Sequence, residues 1–366
     1  MFNNTFKNSK IIITGHTGFK GSWLSLWLSE LGANVIGISD GVPTVPSHFD
    51  SLNISQRIKN INCDINELDK LKRIILNEKP DFLFHLAAQS IVSKSLNRPV
   101  KTFETNIVGT INVLESLREL TNKCTSIIIT SDKCYKNKEW TWGYRENDEL
   151  GGFDPYSASK ACAEICIESY FNTFFCKKSY LKICSTRAGN VIGGGDWAEG
   201  RIIPDCVKSW IKNEIVFIRN PKSTRPWQHV LEPLSGYLLL ADILHRDSNE
   251  INGNSFNFGP SGDQNSSVGY LVKEISNYWP NSKWEFSSKS KSNLNECNLL
   301  KLNCDKAQSK LGWYPVWDLE KTISQTINWY KNFYLEKNYS SIDFSIAQIK
   351  HYQDCAKDKG LKWAIQ

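Results

Sequence analysis

Short runs of apolar, mostly β-branched residues recur through the first half of the chain, separated by longer stretches. The short runs predict buried strands, and the longer stretches between them predict helices. Strands are predicted over 10–14, 33–40, 62–65, 80–89, 127–130 and 181–187, with a long helix over 103–114. This alternation predicts an α/β protein with a doubly wound parallel sheet, whose ligands bind beyond the carboxyl ends of the strands.

The second half of the chain has a less regular pattern. One helix is predicted to follow Arg201, another to end at Gly312 before Pro315, and a third to cover 318–334. Three successive glycines at 193–195 favour a loop that approaches a ligand over a loop that only turns tightly. We predict a Rossmann-type domain over 1–188, a smaller α/β substrate lobe over 189–337 with segments returning to the first domain, and a polar tail of unassigned role over 338–366.

The first predicted strand passes directly into a glycine-rich turn and then into a helix. Glycines at 15, 18 and 21 allow a tight turn, bring the backbone close to a pyrophosphate and let the helix pack on the strand. Because a strand and a helix flank the turn, dinucleotide binding is favoured over a merely structural turn. The contacts predicted here are Gly15, Thr17, Gly18, Phe19, Lys20 and Gly21.

Acidic residues after the next two strands refine the cofactor prediction. Asp40 would hold the ribose hydroxyls and repel a 2′-phosphate, which favours NAD over NADP, although Ser39 could take that position instead. Asp64, followed by Ile65, either meets the adenine or caps the helix after it. Further contacts are predicted at the end of the fourth strand, at Leu86, Ala87, Ala88 and Gln89.

Tyr156 and Lys160 lie four residues apart in a predicted helix and therefore share one face. A lysine cation one turn from a phenol lowers the phenol pKa, so that Tyr156 can take a proton from an alcohol while hydride leaves the adjoining carbon. Such pairs also arise by chance on surface helices. The preceding strand ends on Ser131-Asp132-Lys133, at the edge where ligands bind, and this neighbourhood favours the catalytic interpretation.

Composition narrows the range of partners. The 366 residues are 40% hydrophobic and 22% charged, as in ordinary globular proteins. A net charge of +6 without a basic block predicts no nucleic acid partner. The 11 cysteines lack metal-type spacing, so we predict reduced thiols and no metal site. Because a cleavable signal pattern and an apolar run of about twenty residues are both missing, we expect a cytoplasmic protein without a membrane partner.

Five motifs occur in an order that resembles the extended short-chain dehydrogenase/reductase family of nucleotide-sugar enzymes, from about Lys10 to Tyr334. The resemblance implies NAD as the cofactor, a homodimer or dimer of dimers formed through the helices equivalent to 101–119 and 156–174, and additional cofactor contacts from Asn106 and Thr130. The motifs are Gly-x-x-Gly-x-x-Gly at 15–21, Leu-Ala-Ala at 86–88, Asn-x-x-Gly-Thr at 106–110, Thr-Ser-Asp at 130–132 and Tyr-x-x-x-Lys at 156–160.

Two residues after the fifth strand indicate a branch of this family. Its epimerases typically carry Ser-Ser or Ser-Thr there, whereas its 4,6-dehydratases carry an acid, usually Asp followed by Glu. Asp132 followed by Lys133, together with 88–89, 140–146, 151–156, 193–197 and 225–230, resembles the dehydratases that act on CDP-glucose. The implied reaction is 4,6-dehydration of CDP-glucose or a similar nucleotide sugar, in deoxysugar synthesis for a surface polysaccharide such as O-antigen.

The resemblance also implies a role for each catalytic residue. Tyr156 would remove the proton of the C4 hydroxyl, with Ser131 hydrogen-bonded to the C4 oxygen. Asp132, kept protonated by burial, would donate a proton to the departing C6 hydroxyl. Lys133 would either take the C5 proton as a neutral base or stay charged and stabilise the enolate.

Substrate contacts are predicted in the second half of the chain. The Arg225 guanidinium can grip a diphosphate with two parallel hydrogen bonds. Asn190 is expected to contact the sugar nucleotide, Arg201 to begin a helix that covers the site, and His229 to organise hydrogen bonds. Glu296 resembles a ribose-binding position of the family but fits a solvated surface glutamate equally well.

Two other functions remain open. A nucleotide-sugar 4-epimerase would need only Tyr156 and Lys160, and the Asp132-Lys133 pair argues against it. A regulatory NAD-binding protein without catalysis would not need Ser131, Tyr156 and Lys160 together.

Overall fold

The computed structural model describes residues 1–247, 249–262, 266–286, 299–336 and 339–365. The strands are β1 (Lys10–Thr14), β2 (Asn34–Ser39), β3 (Lys59–Asn62), β4 (Phe82–His85), β5 (Cys124–Ile129), β6 (Leu181–Ala188), β7 (Val191–Ile192), β8 (Val216–Ile218), β9 (Thr224–Arg225), β10 (Gln228–His229), β11 (Ser255–Phe258), β12 (Ser266–Ser267) and β13 (Trp284–Phe286).

The helices vary from one turn to five turns. Within the described residues, no helix is both long enough and apolar enough to span a membrane. The helices are α1 (Phe19–Glu30), α2 (His48–Ser51), α3 (Leu68–Glu78), α4 (Val92–Asn97), α5 (Pro99–Phe103), α6 (Gly109–Arg118), α7 (Pro155–Thr173), α8 (Ile202–Ile211), α9 (Leu231–Asp247), α10 (Val268–Tyr278), α11 (Asp305–Leu311), α12 (Leu319–Leu335), α13 (Ser341–Asp358) and α14 (Lys362–Ile365).

Seven strands form a parallel sheet in the order β11-β6-β5-β4-β1-β2-β3. The chain order reverses between β1 and β4, where Ile11 pairs with Phe82 and Thr14 with His85. Because these strands all point the same way, their carboxyl ends meet at one edge, and the loops that follow them converge there. The predicted α/β class and doubly wound parallel sheet are therefore confirmed.

Alternate residues of the central strands enter two hydrophobic layers. In β1, Ile11 and Ile13 belong to the larger layer and Ile12 to the smaller one. The larger layer lies beneath α1, α9, α12 and α13, and the smaller one beneath α3, α6 and α7. Burial on both faces explains why the strands are continuous apolar runs rather than alternating ones.

Two predicted elements differ from the observed ones. The third strand is Lys59–Asn62 rather than 62–65, because Asn66 N donates to Asp64 Oδ1 at 2.9 Å in the turn that leads to α3. The long helix predicted over 103–114 contains a π-helical turn, Glu104–Val108, between α5 and α6. Such turns change the direction of side chains and are frequent at functional sites.

The segment that we predicted as a polar tail contains α13 and α14. In α13, Tyr352 is buried and donates a hydrogen bond to Glu232 Oε2 at 2.7 Å. In α14, Trp363 stacks on Phe2, with ring centroids 4.9 Å apart. The charged residues of α13 lie on its exposed side, so the polar composition describes only one face of an amphipathic helix.

Candidate active site

A cleft with a volume of about 1090 Å³ lies at the carboxyl edge of the sheet, where open α/β sheets bind ligands. Most of the residues predicted to form the site line this cleft. They are Gly15, Thr17, Gly18, Phe19, Lys20, Gly21, Asp40, Asp64, Ile65, Leu86, Ala87, Ala88, Gln89, Thr130, Ser131, Asp132, Lys133, Tyr156, Lys160, Asn190, Arg201 and Arg225.

The glycine-rich turn packs too closely for side chains at two of its positions. Gly15 has a φ of +74°, and a Cβ there would lie 2.6 Å from the backbone nitrogen of Ala87. A Cβ at Gly21 would lie 2.2 Å from the carbonyl oxygen of Gly15. The turn therefore brings its backbone against the end of β4 and starts α1 at Gly18, with the helix N-terminus at the cleft.

Asn106 does not line the cleft. It is buried in the π-helical turn, where its side chain accepts from Gln89 N at 2.8 Å and donates to Gln89 O at 3.0 Å. The same amide donates to Ser159 Oγ at 2.8 Å. The predicted direct contact of Asn106 with a cofactor is therefore corrected: this residue holds the cleft-lining Gln89 to α7.

Local sequence places Tyr156 and the residues after β5 next to each other. Asp154 caps α7 by accepting from Ser157 N at 3.0 Å, and Pro155 is the first helical residue, so Tyr156 lies in the first turn. After β5, Ser131 begins a short 3₁₀ turn, in which its Oγ accepts from Lys133 N at 3.2 Å, and its side chain interacts with the Tyr156 hydroxyl and lowers the pKa of that phenol.

The neighbouring side chains complete a buried polar cluster. Ser131 Oγ donates to Asp132 Oδ1 at 2.9 Å. Lys160 Nζ donates to the carbonyl oxygen of Ile129, the last residue of β5, at 3.3 Å. Asp132 and Lys160 are only 4% and 5% exposed, whereas Lys133 is half-buried. The structure thus brings together all five residues predicted to be catalytic.

Burial controls the protonation of this cluster. It raises the pKa of Asp132, and Lys133 and Ser131 act in the opposite direction. It lowers the pKa of Lys160 to about 8. It raises the pKa of Tyr156 to about 12, partly offset by the bond to Ser131. The raised pKa of Asp132 suits a proton donor. The raised pKa of Tyr156 is opposite to our expectation that Lys160 would lower it.

Lys20 has an electrostatic role that the sequence did not reveal. Burial and the positive charge of Arg201 lower its pKa to about 7, while Asp132 opposes this shift. Its Nζ donates to Tyr237 Oη at 3.4 Å. Lys20, in the glycine-rich turn, therefore interacts electrostatically with Asp132 and Lys160 of the catalytic cluster. Spacing along the chain cannot show such an interaction.

Of the five predicted substrate residues, three line the cleft, one is buried away from it and one lies outside the described residues. Asn190, Arg201 and Arg225 line the cleft, and Arg201 Nη1 pairs with Asp196 Oδ2 at 2.7 Å. Glu296 lies outside the described residues.

His229 is fully buried and does not line the cleft. Its ring packs on Trp317 at 4.8 Å and on Trp23 at 6.2 Å, and burial lowers its pKa to about 3. The predicted contact with substrate is therefore corrected, because apolar packing surrounds this ring. The parallel pairing of β10 with β7 brings His229 opposite Ile192, behind the wall of the cleft.

Packing explains all three glycines at 193–195, and two of them, Gly193 and Gly195, also line the cleft. A Cβ at Gly194 would lie 2.0 Å from Trp329, and one at Gly195 would lie 2.3 Å from His48. At Gly193 it would lie 2.8 Å from Val230. The preference for ligand approach over a tight turn is therefore corrected for Gly194, where packing against the Trp329 side chain, an alternative outside that prediction, requires the glycine.

Substitution of Gly194 by alanine should destabilise the protein by about 1–3 kcal/mol, because the added methyl group overlaps the Trp329 ring. Urea unfolding would measure the loss. Gly262→Ala is the matched control, since a Cβ at Gly262 has no heavy atom within 4 Å among the described residues. Equal stability of the two variants would contradict this account of the glycine.

Sequence inspection missed some residues of the cleft wall. Phe217 lines the cleft and is 61% exposed, and Trp227 lines it nearby. Phe217 belongs to the three-residue strand β8, where a period of two is too short to recognise.

The strand order and the position of Tyr156 and Lys160 beside the end of β5 define an extended short-chain dehydrogenase/reductase. More narrowly, the chain belongs to the GDP-mannose 4,6 dehydratase family, whose sequence profile matches residues 12–326. The CDP-glucose 4,6-dehydratase of Salmonella typhimurium is 44% identical over 333 residues, which are 90% of this chain and 92% of that protein.

Solved structures show the same fold. UDP-glucose 4-epimerase from Thermotoga maritima, in a structure with UDP-glucose, superposes with a TM-score of 0.74 at 23% identity, covering 88% of this chain and 99% of that chain. dTDP-glucose 4,6-dehydratase from Bacillus anthracis, in complex with NAD, has a TM-score of 0.72 at 19% identity, covering 91% and 99%. At these identities the likeness describes the fold alone.

Proposed function

We propose that the chain catalyses NAD-dependent 4,6-dehydration of a nucleotide-activated hexose, with CDP-glucose as the favoured substrate and CDP-4-dehydro-6-deoxyglucose as the product. One observation carries this proposal: the buried Asp132, followed by Lys133, lies in the same cleft as Tyr156, in a chain 44% identical to a CDP-glucose 4,6-dehydratase. An acid at this position suits the elimination of water.

The residues of the cleft fit a dinucleotide. The first turn of α1 is Phe19-Lys20-Gly21, which offers backbone amides and a lysine to phosphate groups. Asp40 is exposed at the end of β2, where an acid can accept hydrogen bonds from ribose hydroxyls. NAD, when bound, supplies a hydride acceptor for C4, a hydride donor for C6 and a positive ring that favours a phenolate.

The first half of the reaction needs a base at the C4 hydroxyl. Tyr156 takes that proton, and Ser131, whose side chain interacts with its hydroxyl, holds the C4 oxygen. Protonated Lys160 stabilises the phenolate through its positive charge, and its bond to Ile129 O fixes the amine at the end of β5.

The second half needs an acid at C6 and a base at C5. Asp132 gives its proton to the departing C6 hydroxyl, and burial, which raises the pKa of this carboxyl, favours the protonated form that the step needs. Lys133 takes the C5 proton, which the adjacent C4 ketone has acidified. Arg225, Arg201 and Asn190 hold the nucleoside diphosphate and the sugar from the facing wall.

Assembly and location follow from the family resemblance. We propose a homodimer formed through α5, α6 and α7, because Val100, Val108 and Ile165 are 68%, 46% and 55% exposed on these helices and their connecting turn. From the family resemblance we also propose a cytoplasmic location and a role in deoxysugar synthesis for O-antigen.

Incubation of the protein with CDP-glucose and NAD tests the function. We expect a product lighter than the substrate by one water, detected by mass spectrometry. Deuterium placed at C4 of the glucose should appear in the new C6 methyl group. Conversion to the galactose isomer would support a 4-epimerase instead, and tight NAD binding without turnover of any sugar nucleotide would support a regulatory protein.

A further inference from the structure

A second buried carboxylate, Glu164, lies behind the catalytic residues. It follows Lys160 by one turn of α7 and Tyr156 by two, and its side chain is 4% exposed. Ser185 Oγ donates to Glu164 Oε2 at 2.7 Å, and Arg187 Nη2 donates to the same oxygen at 2.9 Å. Thr130 Oγ1 donates to the other oxygen. The carboxylate thus joins α7 to β6 and to the residue that follows β5.

The partner cation is itself held in place. Arg187 Nη1 donates to Tyr135 Oη at 2.8 Å and to Glu146 O at 2.9 Å. Tyr135 Oη in turn donates to Asn257 Oδ1 in β11 at 2.7 Å. Burial alone would raise the pKa of Glu164, but the charge of Arg187 and the hydrogen bonds from Arg187, Thr130 and Ser185 bring it below its usual value, so the group is a carboxylate at neutral pH.

The network ends at the active site in two places. Thr130, which precedes Ser131, is bonded to Glu164, and the carbonyl oxygen of Ile129 is bonded to Lys160. Two residues of α7 therefore bind two consecutive residues at the end of β5. Glu164 also places a negative charge one helical turn from the Lys160 amine. Glu164 and Arg187 do not line the cleft, whereas Thr130 and Lys160 do.

We propose that Glu164 is a positioning residue for the reaction. Its carboxylate fixes the end of β5 against α7, which sets Ser131 beside Tyr156, and its charge keeps the Lys160 amine protonated. The proposal rests on the proposed function for its effect on turnover, but not for its effect on Lys160.

The sign of the electrostatic effect follows from the groups around Lys160. Burial lowers the pKa of Lys160 to about 8, and Glu164 and Cys134 oppose that change. Removing the carboxylate charge should therefore lower this pKa further. Because the phenolate needs the cation, activity should then fall at a lower alkaline pH. The titratable groups that interact electrostatically with Lys160 also include Lys20 and His85.

Glu164→Gln is the test, because an amide keeps the shape and two hydrogen-bonding positions while removing the charge. The alkaline limb of kcat against pH should move down by about one pH unit. Ser185→Ala is the matched control: it removes one hydrogen bond to Glu164 and leaves the charge, so the limb should stay in place. An unmoved limb in Glu164→Gln, or an equal shift in both variants, would overturn the proposal.

A measurement independent of turnover separates this proposal from the proposed function. Trace acetylation of Lys160 at a series of pH values, followed by mass spectrometry of its peptide, reports the protonation of the amine in wild type and variants. If the wild-type protein turns over no sugar nucleotide, the proposed function is wrong, but the proposed effect of Glu164 on Lys160 is not contradicted. A midpoint that is the same in wild type and Glu164→Gln defeats the role of Glu164.

Loss of a buried charge partner can prevent folding, so a second variant is needed. Glu164→Gln combined with Arg187→Gln removes both charges and avoids an uncompensated guanidinium. Lys160 loses the neighbouring carboxylate in this variant as well, so a downward shift of its acetylation midpoint is expected, smaller than in Glu164→Gln because the Arg187 cation is lost too. An unchanged midpoint in the folded double variant would contradict the proposal.

Discussion

Replacement of Tyr156 by phenylalanine should lower kcat by about 10³-fold, because it removes the base that takes the C4 hydroxyl proton. The ring itself is buried beside Ser131, and phenylalanine keeps its shape, so the fold and the affinity for NAD should change little. Formation of the dehydrated product under saturating CDP-glucose gives kcat, and calorimetric titration gives the affinity for NAD.

Tyr170→Phe is the matched control for this variant. Tyr170 lies in the same helix and hydrogen-bonds to Glu115 Oε2 at 3.4 Å, away from the cleft. It should retain wild-type turnover. If Tyr156→Phe also retains it, the C4 proton leaves by another route and the mechanism proposed for the first half-reaction fails.

Lys133→Met should stop the second half-reaction while leaving the first measurable. The side chain lines the cleft directly after Asp132, and methionine retains the length of the chain without a basic nitrogen. Loss of a general base of this kind costs about 10²–10⁴-fold in rate. Exchange of the C5 hydrogen with deuterated solvent should therefore disappear, whereas reduction of NAD by the C4 hydrogen should still be seen in a single turnover.

Lys136→Met provides the corresponding control in the same loop. Lys136 is exposed and pairs with Glu149 at 2.6 Å, so its loss should leave C5 exchange intact. Exchange at the wild-type rate in Lys133→Met would show that another group takes the C5 proton and would overturn the role of Lys133 as the base.

The central sheet could be predicted because its strands carry their own signal. Burial on both faces makes each strand a continuous apolar run, as at Ile11 to Ile13, and the carboxyl ends of parallel strands must share one edge. The helix after the glycine-rich turn and the helix around Tyr156 were predicted as well, and the structure caps them at Gly18 and Asp154. The prediction was weakest where one turn decides the end of a strand, as at Asp64.

The parts of the site that escaped prediction depend on packing between distant segments. His229 and Asn106 are both polar residues in motifs. Aromatic rings pack around His229, and Asn106 is hydrogen-bonded to the backbone of Gln89. Gly194 is small because Trp329, far along the chain, fills the space beside it. Glu164 did have a signal: it continues the four-residue spacing of Tyr156 and Lys160 on α7.

The contact between Phe2 and Trp363 joins the two ends of the described chain. Terminal segments usually fray, because few contacts hold them. Here each end covers the other, and Phe2 also meets Trp27 of α1 with ring centroids 6.2 Å apart. Opening of either end would therefore expose aromatic surface of α1, the helix that follows the glycine-rich turn, so we expect opening at the termini to loosen the cofactor site as well.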